Sequence, residues 1–407
     1  MKNIAIISSQ YFWLPVEPGP SRFYSIAQAF QQAGYNVDII TSSFEHHEKK
    51  QRDKKLKSPF NIIYIDCLSY RKNIGVLREI SNIIFAYKIK RFLKLHKNKY
   101  DIIYCSIPPN NIGAAVGKYC HKYHIPFVVD IEDLWPEAMS MIVPKLLRFL
   151  FFPYLLDAER TYRYADGVVG TSEEYSLRAM KNNKRKIPYI TVYVGNDIDR
   201  FDNGVKLYSD NIKKKHDEIW VTYAGSLGVS YDIATMIRCA QKLYATHSNI
   251  IFQILGNGIR YDEFVKLSKE QCCNVNFWGY VQYEKMAAIL SRSDILINSI
   301  IKNSSAGIIN KIGDYLAAKK PMINTGSNLE FRNKVEKDNF GINVEAENVE
   351  ALKVALISLI ENETTRKQMG ENARLIAEKQ FDRKNTYHKI VDFAKSLGFE
   401  KGKVSYV

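Results

Sequence analysis

The chain lacks the features that most quickly assign a protein to a class. No window holds 18 consecutive apolar residues, and the closest run, Leu146 to Leu156, contains Arg148 and Pro153. We therefore expect no membrane-spanning helix. The first residues, Met1 to Ile7, are too short an apolar run for a signal peptide and predict a strand. No short internal repeat occurs, which excludes a repeat architecture.

The cysteines form no CxxC pair and show no metal-type spacing with histidine. This pattern excludes a disulfide framework and a structural zinc site. We expect reduced thiols in a cytosolic protein. The cysteines are Cys67, Cys105, Cys120, Cys239, Cys272 and Cys273.

What is present is the composition of a soluble globular protein, with 46% hydrophobic and 25% charged residues. A length of 407 residues is long for one core, so two domains of about 200 residues each are expected. The 58 basic residues exceed the 43 acidic ones, for a net charge of +15. Such a surplus suits nucleic acid, anionic lipid or phosphorylated substrates, although a solvated basic surface without a partner is the alternative.

Short apolar runs alternate with helical patterns along the chain, which predicts a doubly wound parallel sheet in each half. In the first half, a helix from about 21 to 33 follows the first strand and ends at Gly34. The predicted strands there are 4–8, 37–41, 61–65, 101–105, 126–130, 167–170 and 189–194. Those of the second half are 220–224, 250–255, 275–278, 295–298, 321–324 and 341–344.

A polar stretch between the two series predicts the domain organisation. We expect an N-terminal Rossmann-like domain over 1–200, a linker over 201–218 and a C-terminal Rossmann-like domain over 219–383. A last helix within 384–407 is expected to cross back toward the first domain. The expected fold class is α/β, with two Rossmann-like parallel-sheet domains facing a central cleft.

The most informative segment runs from Ser304 to Pro321. A loop of small residues turns directly into a helix, with Lys311 in its first turn and Asp314 three residues later. The start of a helix can hold a diphosphate, the lysine adds a full charge, and the acid can accept hydrogen bonds from ribose hydroxyls. Because loop-to-helix junctions with glycine also occur where nothing binds, this segment alone does not decide the function.

Glycines follow three strands of the second half. They lie in the segments 225–228, 256–258 and 279–281, and glycine lets a ligand approach backbone amides closely. The carboxyl ends of parallel strands meet at one sheet edge, which is where ligands bind in open α/β sheets. Together with the Lys311 segment, they predict a nucleotide site in the C-terminal domain.

Two loops of the first half are candidates for the other part of a site. The loop after the first strand is long and proline-rich, contains Gly19, and ends at a predicted N-cap, Ser21, followed by Arg22. It has no GxGxxG fingerprint, but it could touch a sugar or phosphate. The loop from Asp130 to Glu137 holds four carboxylates, which could be catalytic, a solvated acidic turn or a divalent-metal site.

A basic segment from Arg71 to Lys99 carries apolar residues at helical spacing, and a bulky apolar stretch runs from Pro144 to Leu156. A basic amphipathic helix can lie on an anionic bilayer, so we expect peripheral attachment of the first domain. Core-packing helices with ordinary charged faces are the alternative. No nucleic-acid-binding module is present, so we expect no nucleic-acid partner. The apolar residues of the first segment are Ile84, Phe85, Ile89, Phe92 and Leu93.

These motifs resemble the GT-B glycosyltransferases of glycosyltransferase family 4, and in particular the bacterial branch that builds O-antigen, capsule and exopolysaccharide. The segment Asp133-Leu134-Trp135-Pro136-Glu137 is the most specific match. The other matching segments are 18–22, 34–37, 40–42, 194–199, 223–228, 255–258 and 311–321.

The resemblance implies a metal-independent, configuration-retaining transfer from a nucleotide-diphosphate sugar, expected to be UDP-linked, without a cofactor. Asp133 would be the catalytic residue, Lys311 would face the diphosphate, and Asp314 would contact the ribose. The backbone at Tyr280 and Val281 would hold the base. The other donor-binding residues would be Gly225, Ser226, Gly228, Gly256, Gly307 and Ile308, and the acceptor-binding residues Gly19, Ser21 and Arg22.

The sequence departs from the family pattern at four places, and one of them is the loop after the first strand, where Gly19 is the only glycine that remains of the pattern. The first acid of the family's paired-acid motif falls at Ala306, Ser226 replaces a phosphate-binding arginine, and Glu132 replaces an arginine before Asp133. The expected acceptor is a polyprenyl-diphosphate-linked saccharide at the inner face of the cell membrane. Two alternatives remain, namely a nucleotide-sugar epimerase on the same fold and a non-catalytic sugar-binding partner.

Overall fold

A computed structural model gives the fold and describes residues 1–9, 21–46, 49–52, 58–72, 75–137, 145–181, 185–271, 274–302, 304 and 307–400. The chain divides into two compact units. The first unit comprises Met1–Tyr193 with Thr386–Val407, and the second comprises Val194–Asn385.

The first unit is built on parallel strands. They are β1 (Asn3–Ile7), β2 (Asn36–Ser42), β5 (Asn61–Ile65), β6 (Ile102–Ile107), β7 (Phe127–Ile131), β8 (Gly167–Gly170) and β9 (Tyr189–Thr191), with a short antiparallel pair, β3 (Phe44–Glu45) and β4 (Lys50–Gln51), between β2 and β5. The sheet order is β5-β2-β1-β6-β7-β8-β9. Its helices are α1 (Arg22–Gln32), α2 (Val76–Leu95), α3 (Asn110–Tyr123), α4 (Phe152–Tyr164) and α5 (Glu173–Arg178), with a 3₁₀ helix over Lys145–Phe151.

The second unit repeats the plan with strands β10 (Ile219–Ala224), β11 (Ile250–Leu255), β12 (Val275–Gly279), β13 (Ile295–Asn298), β14 (Met322–Asn324) and β15 (Gly341–Asn343). They are ordered β12-β11-β10-β13-β14-β15. The first of its helices are α6 (Ile198–Tyr208), α7 (Ile233–Tyr244), α8 (Tyr261–Glu270), α9 (Tyr283–Arg292) and α10 (Lys311–Ala317). They are followed by α11 (Leu329–Lys337), α12 (Val349–Glu361), α13 (Glu363–Ile376) and the short α14 (Arg383–Thr386). A 3₁₀ turn over Ser209–Asn211 and a π turn over Ala377–Phe381 complete it.

The predicted fold class of two parallel-sheet α/β domains is confirmed. The strand patterns explain why, since a strand covered on both faces must be apolar at successive positions. In β6, Ile103 and Cys105 enter one core cluster, whereas Ile102 and Tyr104 enter the cluster on the opposite face. This alternation places helices on both sides of the sheet.

The last helix, α15 (His388–Glu400), belongs to the first unit. Ile390, Phe393 and Leu397 lie in the cluster of the first sheet. A Cβ at Gly167 would lie 2.5 Å from a Leu397 methyl carbon and 2.8 Å from the Phe393 ring. Because Gly167 has no side chain, α15 can pack directly on β8.

The segment 201–218, expected to be a linker, is placed differently by the structure, because α6 already belongs to the second unit. Ile198, Phe201 and Gly204 form its buried face, and a Cβ at Gly204 would lie 2.7 Å from the backbone of Glu284 in α9. The segment is mostly polar, but its few apolar residues recur at helical spacing. That spacing was missed in the sequence.

Helix α2 also differs from its sequence interpretation. Phe85, Ile89 and Leu93, expected to face a bilayer, are buried in the core, and Ile84 and Phe92 are half-buried. The core-packing alternative is correct for this face. Among the helices that the structure describes, none combines the length and apolar character needed to cross a membrane.

A buried ion pair ties the first unit together. Arg22 at the start of α1 donates from Nε to Asp130 Oδ2 at 2.9 Å, and its Nη1 donates to the carbonyl of Val192 at 3.1 Å. Tyr104 donates its hydroxyl to the same carboxylate at 2.7 Å. The Arg22 and Asp130 side chains are 3% and 0% exposed. Because Asp130 is inside the core, the acidic loop does not begin as a solvated turn.

We expect Arg22→Met to lower the free energy of unfolding by about 3–5 kcal/mol, because it leaves the Asp130 carboxylate buried without its cation. Denaturant unfolding of the purified variant measures this loss. Arg160→Met is the matched control, since Arg160 pairs with Asp157 at the surface and such pairs contribute under about 1 kcal/mol. Equal losses in the two variants would contradict a special role for the buried pair.

Candidate functional site

Three loops meet at the carboxyl edge of the second sheet. The amide of Gly225, after β10, donates to the carbonyl of Leu255 at 2.9 Å, and the amide of Gly256, after β11, donates to the carbonyl of Gly279 at 2.7 Å. The glycine loops predicted from the sequence are therefore neighbours. The edge includes the point where the strand order reverses between β10 and β13, which in open α/β sheets forms a crevice for ligands.

Gly256 shows why this edge needs glycine. Its φ is +126°, and a Cβ there would lie 1.8 Å from the carbonyl oxygen of Gly225. No other residue fits such a conformation and such a close backbone approach. The two loops consequently form one closely packed surface.

Lys311 is the first residue of α10 and lies against this surface. Its Nζ is 3.9 Å from the centre of the Tyr223 ring and 4.3 Å from that of Tyr231. The same atom is 2.7 Å from the position of a Cβ at Gly225. It is buried and has no hydrogen-bond partner among the described residues. Burial lowers the pKa of Lys311 well below the usual value for lysine.

A buried ammonium group without an anion is unfavourable unless something compensates for lost hydration. The faces of two tyrosine rings compensate in part, since their electron density attracts a cation. The hydroxyl of Tyr223 donates to the carbonyl of Ser226 at 2.7 Å, which fixes one ring. Lys311 thus has the properties of a cation that lacks its anionic partner in the ligand-free chain.

Asp314 lies one turn after Lys311 and is bound internally. Its Oδ1 accepts hydrogen bonds from the Tyr283 hydroxyl at 2.8 Å and from Asn196 Nδ2 at 3.1 Å. Burial raises its pKa, while these two donors lower it. The carboxylate therefore joins α10 to α9 and to the segment before α6, and contact with a ribose stays a prediction.

The remaining predicted donor residues surround the same edge with different exposure. Ser226 and Tyr280 are exposed, Gly228, Val281 and Gly307 are half-buried, and Ile308 is buried. Ala306, the departure from the paired-acid motif, lies outside the described residues.

In the first unit, the loop after β7 carries Asp133. Its Oδ1 accepts a hydrogen bond from the backbone amide of Leu134 at 2.8 Å, and burial raises its pKa. The neighbouring Glu132 accepts the Ser106 hydroxyl at 2.6 Å. Burial and the nearby Asp130 charge raise the pKa of Glu132 to about 7. Asp133 is therefore half-buried with a restricted orientation, and its catalytic role stays a prediction.

The four carboxylates of this loop have separate partners. Asp130 binds Arg22, Glu132 binds Ser106, and Glu137 binds Arg178 with an Nε–Oε1 distance of 2.5 Å. Within the described ranges, no group of histidine, cysteine, aspartate or glutamate side chains is arranged to hold a metal ion. The geometry therefore gives no support to the divalent-metal alternative.

The three predicted acceptor residues have different environments. Ser21 is the N-cap of α1, with its hydroxyl accepting from the Tyr24 amide at 3.3 Å, as predicted. Gly19 lies outside the described residues. The structure corrects the prediction that Arg22 contacts the acceptor, because its guanidinium already binds Asp130 and backbone carbonyls inside the unit. We do not retain it as an acceptor contact.

Asn110, which contacts the Asp133 loop, was missed in the sequence, as were two other asparagines of the first unit with buried side-chain atoms. Asn110 donates from Nδ2 to the carbonyl of Trp135 at 2.8 Å, while its Oδ1 is buried without a hydrogen-bond partner in the part of the chain described. Asn82 Nδ2 and Asn111 Oδ1 are also buried and unpartnered there. Their signal in the sequence was weak, since only the Pro108-Pro109-Asn110-Asn111 turn after β6 distinguishes them.

Comparison with solved structures first identifies the fold. Sucrose-phosphate synthase from Thermosynechococcus elongatus aligns with a TM-score of 0.73 and 17% identity, over 98% of this chain and 99% of that one. WaaG, a glycosyltransferase involved in lipopolysaccharide biosynthesis, aligns with a TM-score of 0.69 and 15% identity, over 96% and 99%. Anabaena HepE, solved with UDP, aligns with a TM-score of 0.68 and 15% identity, over 97% and 100%. At such identities the likeness concerns the fold, which is GT-B.

Two family models match successive halves of the chain. Residues 21–199 match the model described as Glycosyltransferase Family 4, and residues 205–376 match Glycosyl transferases group 1. The chain is a GT-B glycosyltransferase. Among curated proteins, an uncharacterized glycosyltransferase of Methanocaldococcus jannaschii, MJ1069, is 27% identical over 287 residues, or 68% of each chain. The bacterial surface-polysaccharide branch is not distinguished by these matches.

For this glycosyltransferase we expect Lys311→Met to raise the free energy of unfolding by about 2 kcal/mol at neutral pH, because it removes a buried, unpaired charge while keeping similar bulk. Since the folded pKa of Lys311 is lowered, the unfolded chain binds more protons, and the gain should shrink as the pH rises toward 10.5. Denaturant unfolding at several pH values measures it. Lys213→Met, at an exposed position, is the control. A destabilised Lys311→Met protein would contradict this interpretation.

We expect Glu132→Gln to change how stability depends on pH. The pKa of Glu132 is about 7 in the folded chain against 4.5 for an ordinary glutamate. Folding therefore favours the protonated form, whose stabilisation is lost as the pH rises from 4.5 through 7. The variant should lose less stability across this window and be more stable than the parent at pH 8 by about 2–3 kcal/mol.

Unfolding curves between pH 5 and 8 measure this effect, with Glu361→Gln as the same chemical change at an exposed position. Parallel curves for the parent protein and Glu132→Gln would show that Glu132 is not the group that titrates.

Proposed function

We propose that this glycosyltransferase moves a sugar, with retention of configuration, from a nucleotide-diphosphate sugar to a lipid-linked saccharide. The observation that carries the donor assignment is the buried Lys311 ammonium, which has no anionic partner among the described residues and lies against the glycine loops. A diphosphate supplies the missing anion. The adjacent glycine backbone allows phosphate oxygens to approach amide groups closely.

A UDP-linked donor is supported by a relative of the same fold. Anabaena HepE was solved with UDP and with UDP-glucose. In our proposal the base lies on the backbone at Tyr280 and Val281, and the ribose near Asp314. Gly307 and Ile308 would line the sugar and phosphate region.

The proposed chemistry uses positive charge in place of a metal ion. The acceptor hydroxyl attacks the anomeric carbon as the bond to the diphosphate breaks, and the leaving phosphate oxygen takes the hydroxyl proton. Lys311 stabilises the charge that develops on the leaving diphosphate. Asp133, whose position is limited by the Leu134 amide, would stabilise the reacting sugar instead of acting as a full base.

The acceptor and location follow the resemblance to enzymes of bacterial surface polysaccharide synthesis. We propose a polyprenyl-diphosphate-linked saccharide as acceptor, contacted by the loop that includes Gly19 and Ser21, and a peripheral location on the inner face of the cell membrane. WaaG, a structural neighbour, is involved in lipopolysaccharide biosynthesis. The buried Oδ1 of Asn110, which has no hydrogen-bond partner among the described residues, provides a polar group close to the Asp133 loop.

The test measures nucleotide release from a panel of UDP- and GDP-sugars, with and without a short-chain polyprenyl-diphosphate sugar that dissolves without vesicles. Release only in the presence of acceptor supports transfer. Release of free nucleotide without acceptor would indicate an epimerase instead. Binding of a nucleotide sugar with no release under any condition would indicate a non-catalytic sugar-binding protein.

With the active donor, we expect Asp133→Asn to lower kcat about a hundredfold, because a charge that stabilises the transition state is removed. Donor affinity should change little, since that side chain does not hold the diphosphate. Lys311→Ala should, in contrast, weaken UDP binding, as measured by calorimetry. Asp392→Asn, at an exposed position of the first unit, is the control. An Asp133→Asn enzyme with full turnover would refute the assignment.

A further inference from the structure

Helix α2 carries apolar residues on its solvent side as well as on its core side. Its inner face is buried through Phe85, Ile89 and Leu93. The opposite stripe recurs at helical spacing yet is exposed to solvent, which a globular protein rarely leaves uncovered. The exposed residues of this stripe are Val76, Leu77, Ile80, Ile83 and Tyr87.

A second exposed apolar segment lies beside it. The 3₁₀ helix over Lys145–Phe151 and the start of α4 expose Leu146 (85% exposed) and Phe149 (68% exposed), together with Leu147, Leu150 and Phe152. Tyr154 hydrogen-bonds Glu79, and α3 packs against both α2 and α4. The two exposed segments therefore belong to one side of the first unit, which we call the outer face.

Among the described residues, the charges of the outer face that have no bonding partner are basic, since the acids Glu79, Asp157 and Glu159 are bound to Tyr154, Arg160 and Arg178. Arg91 and Lys94 continue the exposed side of α2, and Arg148 lies between the exposed residues of the 3₁₀ helix. Within the described part of the chain, none of these three cations makes a hydrogen bond or an ion pair. Glu79 is the only acid in α2, and Tyr154 binds it. A protein partner would need a matching acidic and apolar surface, whereas an anionic bilayer offers both in one structure.

We propose that the outer face is the surface through which this protein binds an anionic lipid bilayer. The aliphatic and aromatic side chains enter the acyl boundary, and Arg91, Lys94 and Arg148 contact lipid phosphates. This proposal deepens the peripheral location given above, and it rests on that location but not on catalysis. It also replaces the core-facing residues suggested by the sequence pattern with the stripe on the other side of the same helix.

The test is co-sedimentation of the full chain with vesicles of phosphatidylcholine containing phosphatidylglycerol, compared with phosphatidylcholine alone. We expect binding to the anionic vesicles that weakens as salt increases. Ile83→Ser with Phe149→Ser should lower the partition coefficient about tenfold or more. Arg91→Gln with Lys94→Gln should lower it about tenfold and reduce the salt dependence.

Matched controls come from the second unit. Leu329 and Val354 are 74% and 66% exposed, so Leu329→Ser with Val354→Ser removes similar apolar surface elsewhere. Lys206→Gln with Lys213→Gln removes the same charge from exposed positions. Both controls should bind as the parent does. Unchanged melting temperatures in all variants establish that the fold is intact.

The proposal is overturned if the parent does not bind anionic vesicles, or if the variant Ile83→Ser with Phe149→Ser binds them as strongly as the parent does. It is also overturned if the parent forms dimers without vesicles and these substitutions dissociate them, since the outer face would then join two copies. Turnover with the short-chain acceptor is measured separately. Vesicle binding without turnover would reject the proposed reaction and leave this surface intact, and turnover without vesicle binding would do the reverse.

Discussion

The buried pair of Arg22 and Asp130 is the interaction on which the first unit depends. It joins the start of α1 to the end of β7, and the same guanidinium reaches the chain after β9 and the tyrosine that precedes α15. The loop with Glu132 and Asp133 begins directly after this anchor. A charged pair inside a core is stable only when each group is satisfied, so the catalytic candidate is held by a contact that tolerates little change.

The second unit treats a buried charge in the opposite way. In the described part of the chain, Lys311 contacts two aromatic rings and no anion, whereas Arg22 contacts an anion and several carbonyls. The arrangement around Arg22 is complete in the ligand-free chain, and the one around Lys311 is incomplete. This contrast supports our proposal that Lys311 binds the donor diphosphate, and it is stronger support than the presence of a lysine at the start of a helix.

Much of the fold was predictable because strand periodicity is local. The short strand over Gly167–Gly170 was found with its observed bounds, and the Lys311 helix begins where expected. Contacts between residues far apart in the sequence were not predictable. Arg22 and Asp130 are 108 positions apart, and only the order of the strands brings them together. Helix α6 was missed because it is mostly polar. Helix α2 has apolar residues on two sides, and their spacing alone does not say which side faces the core.

The return of α15 to the first unit has a consequence for biosynthesis. Tyr387, Ile390 and Phe393 complete a core whose other members, such as Ile4 and Phe30, precede the whole second unit in the chain. One patch of the first sheet therefore stays uncovered until the second unit and α15 have been translated. The second unit lies wholly between these two parts of the chain, so it can finish folding before the first unit does, although it is synthesised later.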